Sequence, residues 1–464
     1  MPPLLALIVY SIPVVLAFRS DRKREMGDTS GLFWPWLWYM VVASRPLGWW
    51  LLQWGVPLPG GSDDPNDGSI IERFFFGGLT LIGLKILARR RFNWGAALQR
   101  NPWITALCVF MAISILWSHY PFISFKRYIK VIGSIVMALV VLSSERPLEA
   151  MLLVIRRCLY IHLPMSILCT RYYRHIGVYY DYSGTGTSWQ GIATTKNTLG
   201  QITMLGVVYF SWEVRRHWKA HGWRTLHFLY LLMAIYLLRG GAGGISMTSS
   251  IVCVIALLIF LRLQALRSNP AAARRFGFTV FGGMAALISL VLVHSVVFFS
   301  TDSFFGGMIT AFGKDITMTD RTNIWDGVYA AAASMGNPLI GVGFGGFWIG
   351  RMANIEWNAH MTWVLGQGHS GYIDTFLQLG WIGSFLLATV LFTSVRRLLD
   401  SLAENYDFAS FRITLFLTII FINITESTML RGDHNMWFLF MIVIWMVPAT
   451  RPAEVMPSKA VPSF

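Results

Sequence analysis

The sequence predicts an all-α integral membrane protein, a polytopic bundle of about 12–13 transmembrane helices with one large extracytoplasmic loop. Three observations predict it. The 464 residues are 55% hydrophobic and 13% charged, with a mean hydropathy of +0.54, whereas a soluble domain is about a quarter charged. Apolar stretches near the ~20 residues that a bilayer requires recur along the chain. Lysines and arginines gather in alternate loops.

The apolar stretches place spans at 2–18, 32–57, 74–88, 103–118, 128–142, 150–169, 191–212, 225–239, 243–262, 276–299, 371–395, 409–428 and 435–450. The first reads as a helix rather than a signal peptide. It has no basic segment before it, and Arg19 to Glu25 follow it without a small-residue cleavage pattern. The whole chain, 1–464, reads as a single polytopic domain in which 300–370 is the large loop. The Pro-containing tail from Thr450 is short, and no repeat of 20–50 residues stands out.

The net charge of +15 is distributed as a membrane protein distributes it, which argues against a nucleic-acid partner. One set of loops holds 24 of the 38 lysines and arginines, among them Arg19, Arg22, Arg89, Arg90, Arg156, Arg157, Arg215, Arg216, Arg274, Arg275, Arg396 and Arg397. By the positive-inside rule these loops are cytoplasmic. The loop with Asp63, Asp64 and Asp67, the 170–190 loop, the 300–370 loop and Arg431 to Asn435 then face outward. This puts the N-terminus outside and the C-terminus in the cytoplasm. The four cysteines, Cys108, Cys158, Cys169 and Cys253, lie in or beside spans at irregular spacing and read as packing residues.

The outward loops carry the chemistry-bearing residues. Tyr172, Tyr173, Tyr179, Tyr180, Tyr182 and Trp189 crowd one of them, and Phe347, Trp348, Trp357 and Trp363 crowd the large one. These suit either the interfacial aromatic belt or stacking on sugar rings. In the large loop, Thr319 or Asp320 caps a helix read over Arg321 to Met335, which Gly336-Asn337-Pro338 ends. The glycines of Gly341 to Gly346 permit tight turns or close approach to a ligand. No Lys-Ser/Thr follows them as a phosphate-binding P-loop requires.

Arg321 suits a phosphate clamp, because guanidinium is planar, permanently charged and bidentate. It equally suits a bond to loop carbonyls or lipid phosphates. His369 follows Gly366-Gln367-Gly368 where the loop re-enters the membrane and is read as opening a helix that runs to Val395. A neutral imidazole there suits proton abstraction near pH 7, and the positive end of a helix favours the neutral ring. Asp374, about a turn further on, is placed either to orient that ring or as an ordinary first-turn acid. Arg239 ends a span beside Gly240-Gly241-Ala242-Gly243-Gly244, where snorkelling is the simpler role. Lys196 and Glu426 are read as charges inside spans, which are costly. Pairing of Glu426 with Lys196 or an arginine to hold the bundle is preferred to a direct catalytic part. No metal-binding pattern of the HExxH or Cys/His kind occurs, and no cofactor is expected.

Several motifs together resemble the O-antigen ligase/polymerase superfamily. Gly191-Ile192-Ala193-Thr194-Thr195-Lys196-Asn197-Thr198-Leu199-Gly200 resembles its G-x(4)-K-N-x-L-G element. Gly313-Lys314-Asp315-Ile316-Thr317-Met318-Thr319-Asp320-Arg321-Thr322-Asn323-Ile324-Trp325 is similar to its loop motif. The 341–347 glycines, His369-Ser370-Gly371-Tyr372 and Leu379-Gly380-Trp381-Ile382-Gly383 resemble its H-N-x-Y-L…L-G-x-I-G element. Leu116-Trp117-Ser118, Pro121, Lys126-Arg127 and Thr425-Glu426-Ser427 are similar to elements of the exopolysaccharide-polymerase branch. Three departures stand out. Asp320 replaces a glycine before the loop arginine, Ser370 replaces the asparagine after the histidine, and Ser246-Met247-Thr248 lacks the cation of a Ser-Arg/Lys-Thr element, for which Arg239 is the candidate substitute.

The resemblance implies a GT-C-like architecture in the bacterial cytoplasmic (inner) membrane, with a metal-independent, inverting glycosyltransferase site on the extracytoplasmic face. The donor would be a saccharide on undecaprenyl diphosphate and the acceptor a second saccharide, with membrane lipids and polysaccharide chain-length or export proteins as partners. His369 and Arg321 would be catalytic, and Arg239, Lys196, Trp325, Asp374 and Tyr372 would bind substrate. A polymerase is preferred to a ligase that joins polysaccharide to lipid A core. From another class, a transporter or flippase of lipid-linked saccharide would use Lys196 and Glu426 along its pathway.

Overall fold

A computed structural model describes residues 1–22, 30–56, 69–180, 187–216, 221–239, 247–297, 337–349 and 366–447. Its described residues are almost wholly helical: α1 (Pro3–Arg22), α2 (Phe33–Ala43), α3 (Leu47–Gln53), α4 (Ile70–Arg89), α5 (Trp94–Arg100), α6 (Pro102–Ser114), α7 (Pro121–Leu142), α8 (Pro147–Arg171), α9 (Arg174–Gly177), α10 (Lys196–Arg216), α11 (His221–Arg239), α12 (Met247–Ala265), α13 (Pro270–Val297), α14 (Gly371–Asp400), α15 (Tyr406–Ile422) and α16 (Asn435–Ile444). A small antiparallel hairpin, β1 (Val178–Tyr180) with β2 (Thr187–Trp189), pairs Val178 with Trp189 in the otherwise helical chain.

Local sequence sets many of the starts. Pro102, Pro121 and Pro147 open α6, α7 and α8, where a missing N–H costs nothing. Ser69 and Glu72 cap α4 reciprocally, and the Asn405 side chain accepts from Phe408 N at the start of α15.

Among the described residues, three helices combine the length and apolarity of a span on their own: Pro3–Arg22, Pro147–Arg171 and Gly371–Ala403, the last continuing α14 by one short turn. Trp94–Arg100 and Pro102–Trp117 pass that test together but are bent by 100°. Most of the other predicted spans are shorter or more polar helices, whereas α13 runs for 28 residues and carries no charged residue from Phe276 to Val297. The 32–57 stretch breaks at Ser44-Arg45-Pro46 into α2 and α3. The 191–212 span starts only at Lys196, because Gly191–Thr195 form turns. The 409–428 span ends at Ile422, and the 435–450 span is the ten-residue α16. Such a helix is about 15 Å long, half of a ~30 Å hydrocarbon core. Every residue of it is buried by protein, so its ends meet protein rather than lipid.

The basic loops lie together at one end of the bundle. Arg157 Nε meets the buried Asp21 Oδ2 at 2.7 Å, joining α8 to the end of α1. Arg90 donates to Val140 O at the end of α7 (2.7 Å), and Asn101 donates to Met446 O (2.9 Å). Arg267–Asp407 and Arg274–Asp400 pair at 2.9 Å between α12, α13, α14 and α15. The core runs through α7, α8, α10, α15 and α16. The four cysteines are buried and free.

α14 carries the most consequential irregularity. Gly380 leaves helical geometry (φ 62°, ψ −160°) and divides the helix. The stretch 338–343 fills the gap as a strand would. Val342 N donates to Leu377 O (3.1 Å), Gly343 N to Gln378 O (2.9 Å), Trp381 N to Pro338 O (3.0 Å) and Ile382 N to Leu339 O (3.0 Å). Irregular backbone persists in a membrane protein when protein groups satisfy it. A Cβ on Gly380 would lie 2.4 Å from Leu339 C, and its backbone lies in a region essentially reserved for glycine, at about 1–3 kcal/mol for any other residue. Gly77 in α4 has nothing within 4 Å. Gly380→Ala is therefore expected to lower the thermal midpoint of the purified protein by several degrees, while Gly77→Ala leaves it unchanged or raises it. Equal midpoints for the two variants would contradict the interlock.

Candidate functional site

At the other end of the bundle, three non-helical segments (191–195, 366–370 and 423–434) and the 337–349 stretch meet. Asn423 is the junction. Its carbonyl accepts from Gly371 N (3.0 Å) and Ser370 Oγ (3.3 Å). Its side chain accepts from Thr428 N and Met429 N and donates to Thr428 Oγ1 (2.8 Å). A Cβ on Gly371 would lie 2.2 Å from Asn423 Oδ1, so glycine is required for α14 to start against this corner.

His369 sits just before that start, half-buried and with φ +50°. It precedes the helix rather than opening it, and Ser370 occupies the N-cap. Its Nδ1 lies 4.0 Å from Glu426 Oε2 and 3.5 Å from Gln367 Nε2. Asn197 Nδ2 donates to Glu426 Oε1 at 2.7 Å. Arg431 Nη1 donates to Gln367 Oε1 at 2.8 Å. Because an arginine only donates, this bond fixes which end of the Gln367 amide faces His369.

Asp374 does not face the ring. Its buried carboxylate accepts from Gly368 N (3.0 Å), Trp348 Nε1 (2.9 Å) and Ser427 Oγ. It thereby ties the segment before His369 to the glycine loop and to the segment after α15. The carboxylate beside the imidazole is Glu426. Tyr372 is half-buried, and its hydroxyl donates to Ile420 O (2.8 Å), which pins it to α15. Lys196 is exposed on the first residue of α10 and not within a span. Among the described contacts its neighbour Asn197, not Lys196, reaches Glu426. Arg239 is exposed at the end of α11, and no described contact joins it to His369. Arg321 and Trp325, together with the helix read over Arg321 to Met335, lie outside the described residues.

The glycine loop serves backbone packing. Gly341 and Gly343 adopt φ +66° and +95°, and a Cβ on them would lie 2.6 Å from Gln378 C and 2.8 Å from Ser114 O. Gly345 N donates to Gln378 Oε1 (2.8 Å), and Arg127 Nη1 donates to Gly345 O (2.7 Å). Phe347 and Trp348 are buried, so neither presents a face for a sugar ring here. Tyr179 and Tyr180 on the hairpin are exposed.

Sequence reasoning passed over Arg45. It is buried at the α2–α3 break and donates to Ala193 O (3.1 Å) and Gln190 Oε1 (3.0 Å), with its guanidinium 4.1 Å from the centroid of the Trp49 ring. An arginine inside the apolar 32–57 stretch was the available signal. Arg45 holds the turn that delivers Asn197. Among the described residues, no three His, Cys, Asp or Glu side chains converge as a metal site.

Against this geometry, known proteins can be compared. Residues 226–388 match the family model described as O-antigen ligase. The chain is O-antigen ligase-like across that stretch. The match runs from α11 through the 300–370 loop and His369 into α14. The chain is also 28% identical over 313 residues to the exopolysaccharide production protein ExoQ of Rhizobium meliloti (strain 1021), covering 63% of this chain and 64% of that relative. The motifs at 191–200 and 425–427 fall outside the matched family stretch, yet the structure joins both to His369 through Asn197 and Glu426.

Asp374→Ala is expected to remove the hydrogen bonds from Trp348 Nε1, Gly368 N and Ser427 Oγ, at about 1 kcal/mol each. The measurement is the thermal midpoint and the monodisperse yield of the purified variant. A wild-type midpoint would show that the carboxylate does not organise the segment before His369.

Proposed function

We propose that this chain is a membrane-embedded, metal-independent, inverting glycosyltransferase. It moves a saccharide from undecaprenyl diphosphate to a sugar hydroxyl and acts as an exopolysaccharide or O-antigen polymerase at the outer face of the bacterial inner membrane. The observation that carries the reading is the support of His369, whose Nδ1 faces both Glu426, itself held by Asn197, and Gln367, itself held by Arg431. A carboxylate next to an imidazole stabilises the imidazolium that forms when the ring takes a proton.

In the proposed reaction, an acceptor hydroxyl gives its proton to His369 as its oxygen attacks the donor's anomeric carbon. The bond from that carbon to the diphosphate oxygen breaks, and undecaprenyl diphosphate leaves with the electron pair on that oxygen. The configuration inverts because attack and departure occur on opposite faces. Arg321 is assigned to the charge that develops on the diphosphate, where a positioned cation contributes most. Lys196 and Arg239, both exposed at this end of the bundle, are assigned to substrate phosphates or sugars. Trp325, Tyr372 and Asp374 complete the proposed substrate-binding set, the last two by shaping the start of α14. The similarity to an exopolysaccharide production protein favours the polymerase over a ligase to lipid A core. Chain-length or export proteins are the expected partners.

The test is turnover in lipid nanodiscs supplied with undecaprenyl diphosphate-linked repeat units. The wild type is expected to release undecaprenyl diphosphate and lengthen the saccharide. His369→Ala and Arg321→Ala are expected to abolish release, and Glu426→Gln to slow kcat by roughly 10²-fold, the lower end of a general-base contribution, with KM little changed. Release that survives both alanine variants would overturn the site, and movement of intact lipid-linked saccharide without bond cleavage would mark a flippase.

A further inference from the structure

A row of cations stands beside His369 on a helix that the transfer chemistry has not used. Arg127 and Lys130 lie half-buried on α7, and Arg431 lies half-buried in the segment after α15. Gly432 lets that segment reach α7, since a Cβ there would lie 2.4 Å from Lys130 C and Val131 N. The backbone carrying Arg431 is thus pressed directly onto α7. Asp433 sits among them, with its Oδ1 3.7 Å from Arg431 Nε. Desolvation works against its ionisation, yet Arg431, Lys130, His434 and Arg127 hold its carboxyl well below the usual carboxylate range. One carboxylate among three permanent or near-permanent cations leaves a net positive surface. Arg431 is 38% exposed, and its contact to Gln367 uses one of the five donors of a guanidinium.

The same helix exposes an apolar strip directly alongside. Phe122, Phe125 and Ile129 are 70%, 50% and 40% exposed, at the i, i+3, i+7 spacing of one helix face. A ligand that fits both parts has a long apolar tail and a compact polyanionic head. Through Gln367, that head would stand one side chain away from His369.

We infer that Arg431, Lys130 and Arg127 form a cationic platform for the diphosphate of the polyprenyl-linked donor, with the adjoining face of α7 guiding its tail in from the bilayer. This rests on the transferase reading, and it adds to Arg239 a further cation, Arg431, that described contacts join to His369 through Gln367.

The probe is undecaprenyl diphosphate, titrated against the full-length protein in phosphatidylcholine nanodiscs. The double variant Lys130→Gln/Arg431→Gln is expected to bind it at least ~10-fold more weakly and to raise KM for the lipid-linked saccharide by a similar factor with kcat less affected, as the loss of charge-assisted phosphate contacts requires. Lys130→Arg/Arg431→Lys, which keeps the charge, is expected to restore most of the affinity and so excludes simple misfolding. Phosphatidylglycerol is expected to compete poorly. Unchanged affinity in the glutamine variant would overturn the platform. Equal competition by phosphatidylglycerol would reduce it to a general headgroup contact and overturn its assignment to the donor. Diphosphate release by the wild type is measured on the same preparations. Its absence would sink the transfer reaction, while the binding titration still decides the platform.

Discussion

Polar backbone that leaves helical geometry inside an apolar bundle has no water to turn to, and that constraint organises the end of this molecule where the candidate site lies. The turn at 191–195, the stretch 337–349, the approach to α14 and the corner at 423–434 would each be untenable alone. Together they satisfy one another. Arg45 serves the carbonyls of the first, Gln378 and the Gly380 break serve the second, and Asn423 serves the last two. The side chains that suit chemistry are by-products of this arrangement, because His369, Glu426 and Asn197 each stand on a segment whose backbone is held from several sides.

Such fastening suits a base that must meet a hydroxyl in a defined direction. A histidine on an ordinary loop would sample many rotamers and lose geometry to entropy, whereas preorganised groups add little reorganisation at the moment of reaction. Asp374 has a large share in this. By accepting three hydrogen bonds from three different segments, it acts on the site through packing rather than through the ring itself.

Much of the fold was legible in the sequence, and for identifiable reasons. Prolines at 102, 121 and 147 and the Ser69–Glu72 cap mark helix starts, and apolar runs locate most helices to within a few residues. The convergence of motifs around His369 was legible as a pattern. Pair contacts were not. Hydropathy placed Lys196 inside a span because Gly191, Ile192 and Ala193 are apolar, while Gly191 in fact turns the chain at φ +57° with its α-carbon against Ser166. Asp374 lies about a turn beyond His369 along the chain, which suggested ring contact, but the left-handed backbone at His369 directs the two side chains to different neighbours. Arg431 and Gln367 carried no motif, and only the fold of 423–434 against α7 brings them to the site.

The division of α14 at Gly380 has one more implication. The stretch Gly371–Leu379 is hydrogen-bonded to 342–343 and Trp381–Ile382 to 338–339, so each half of the helix is fastened separately to the segment 338–343. A change in the backbone of 338–343 therefore reaches the two halves of the helix through separate hydrogen bonds, and the first half is the one that begins beside His369.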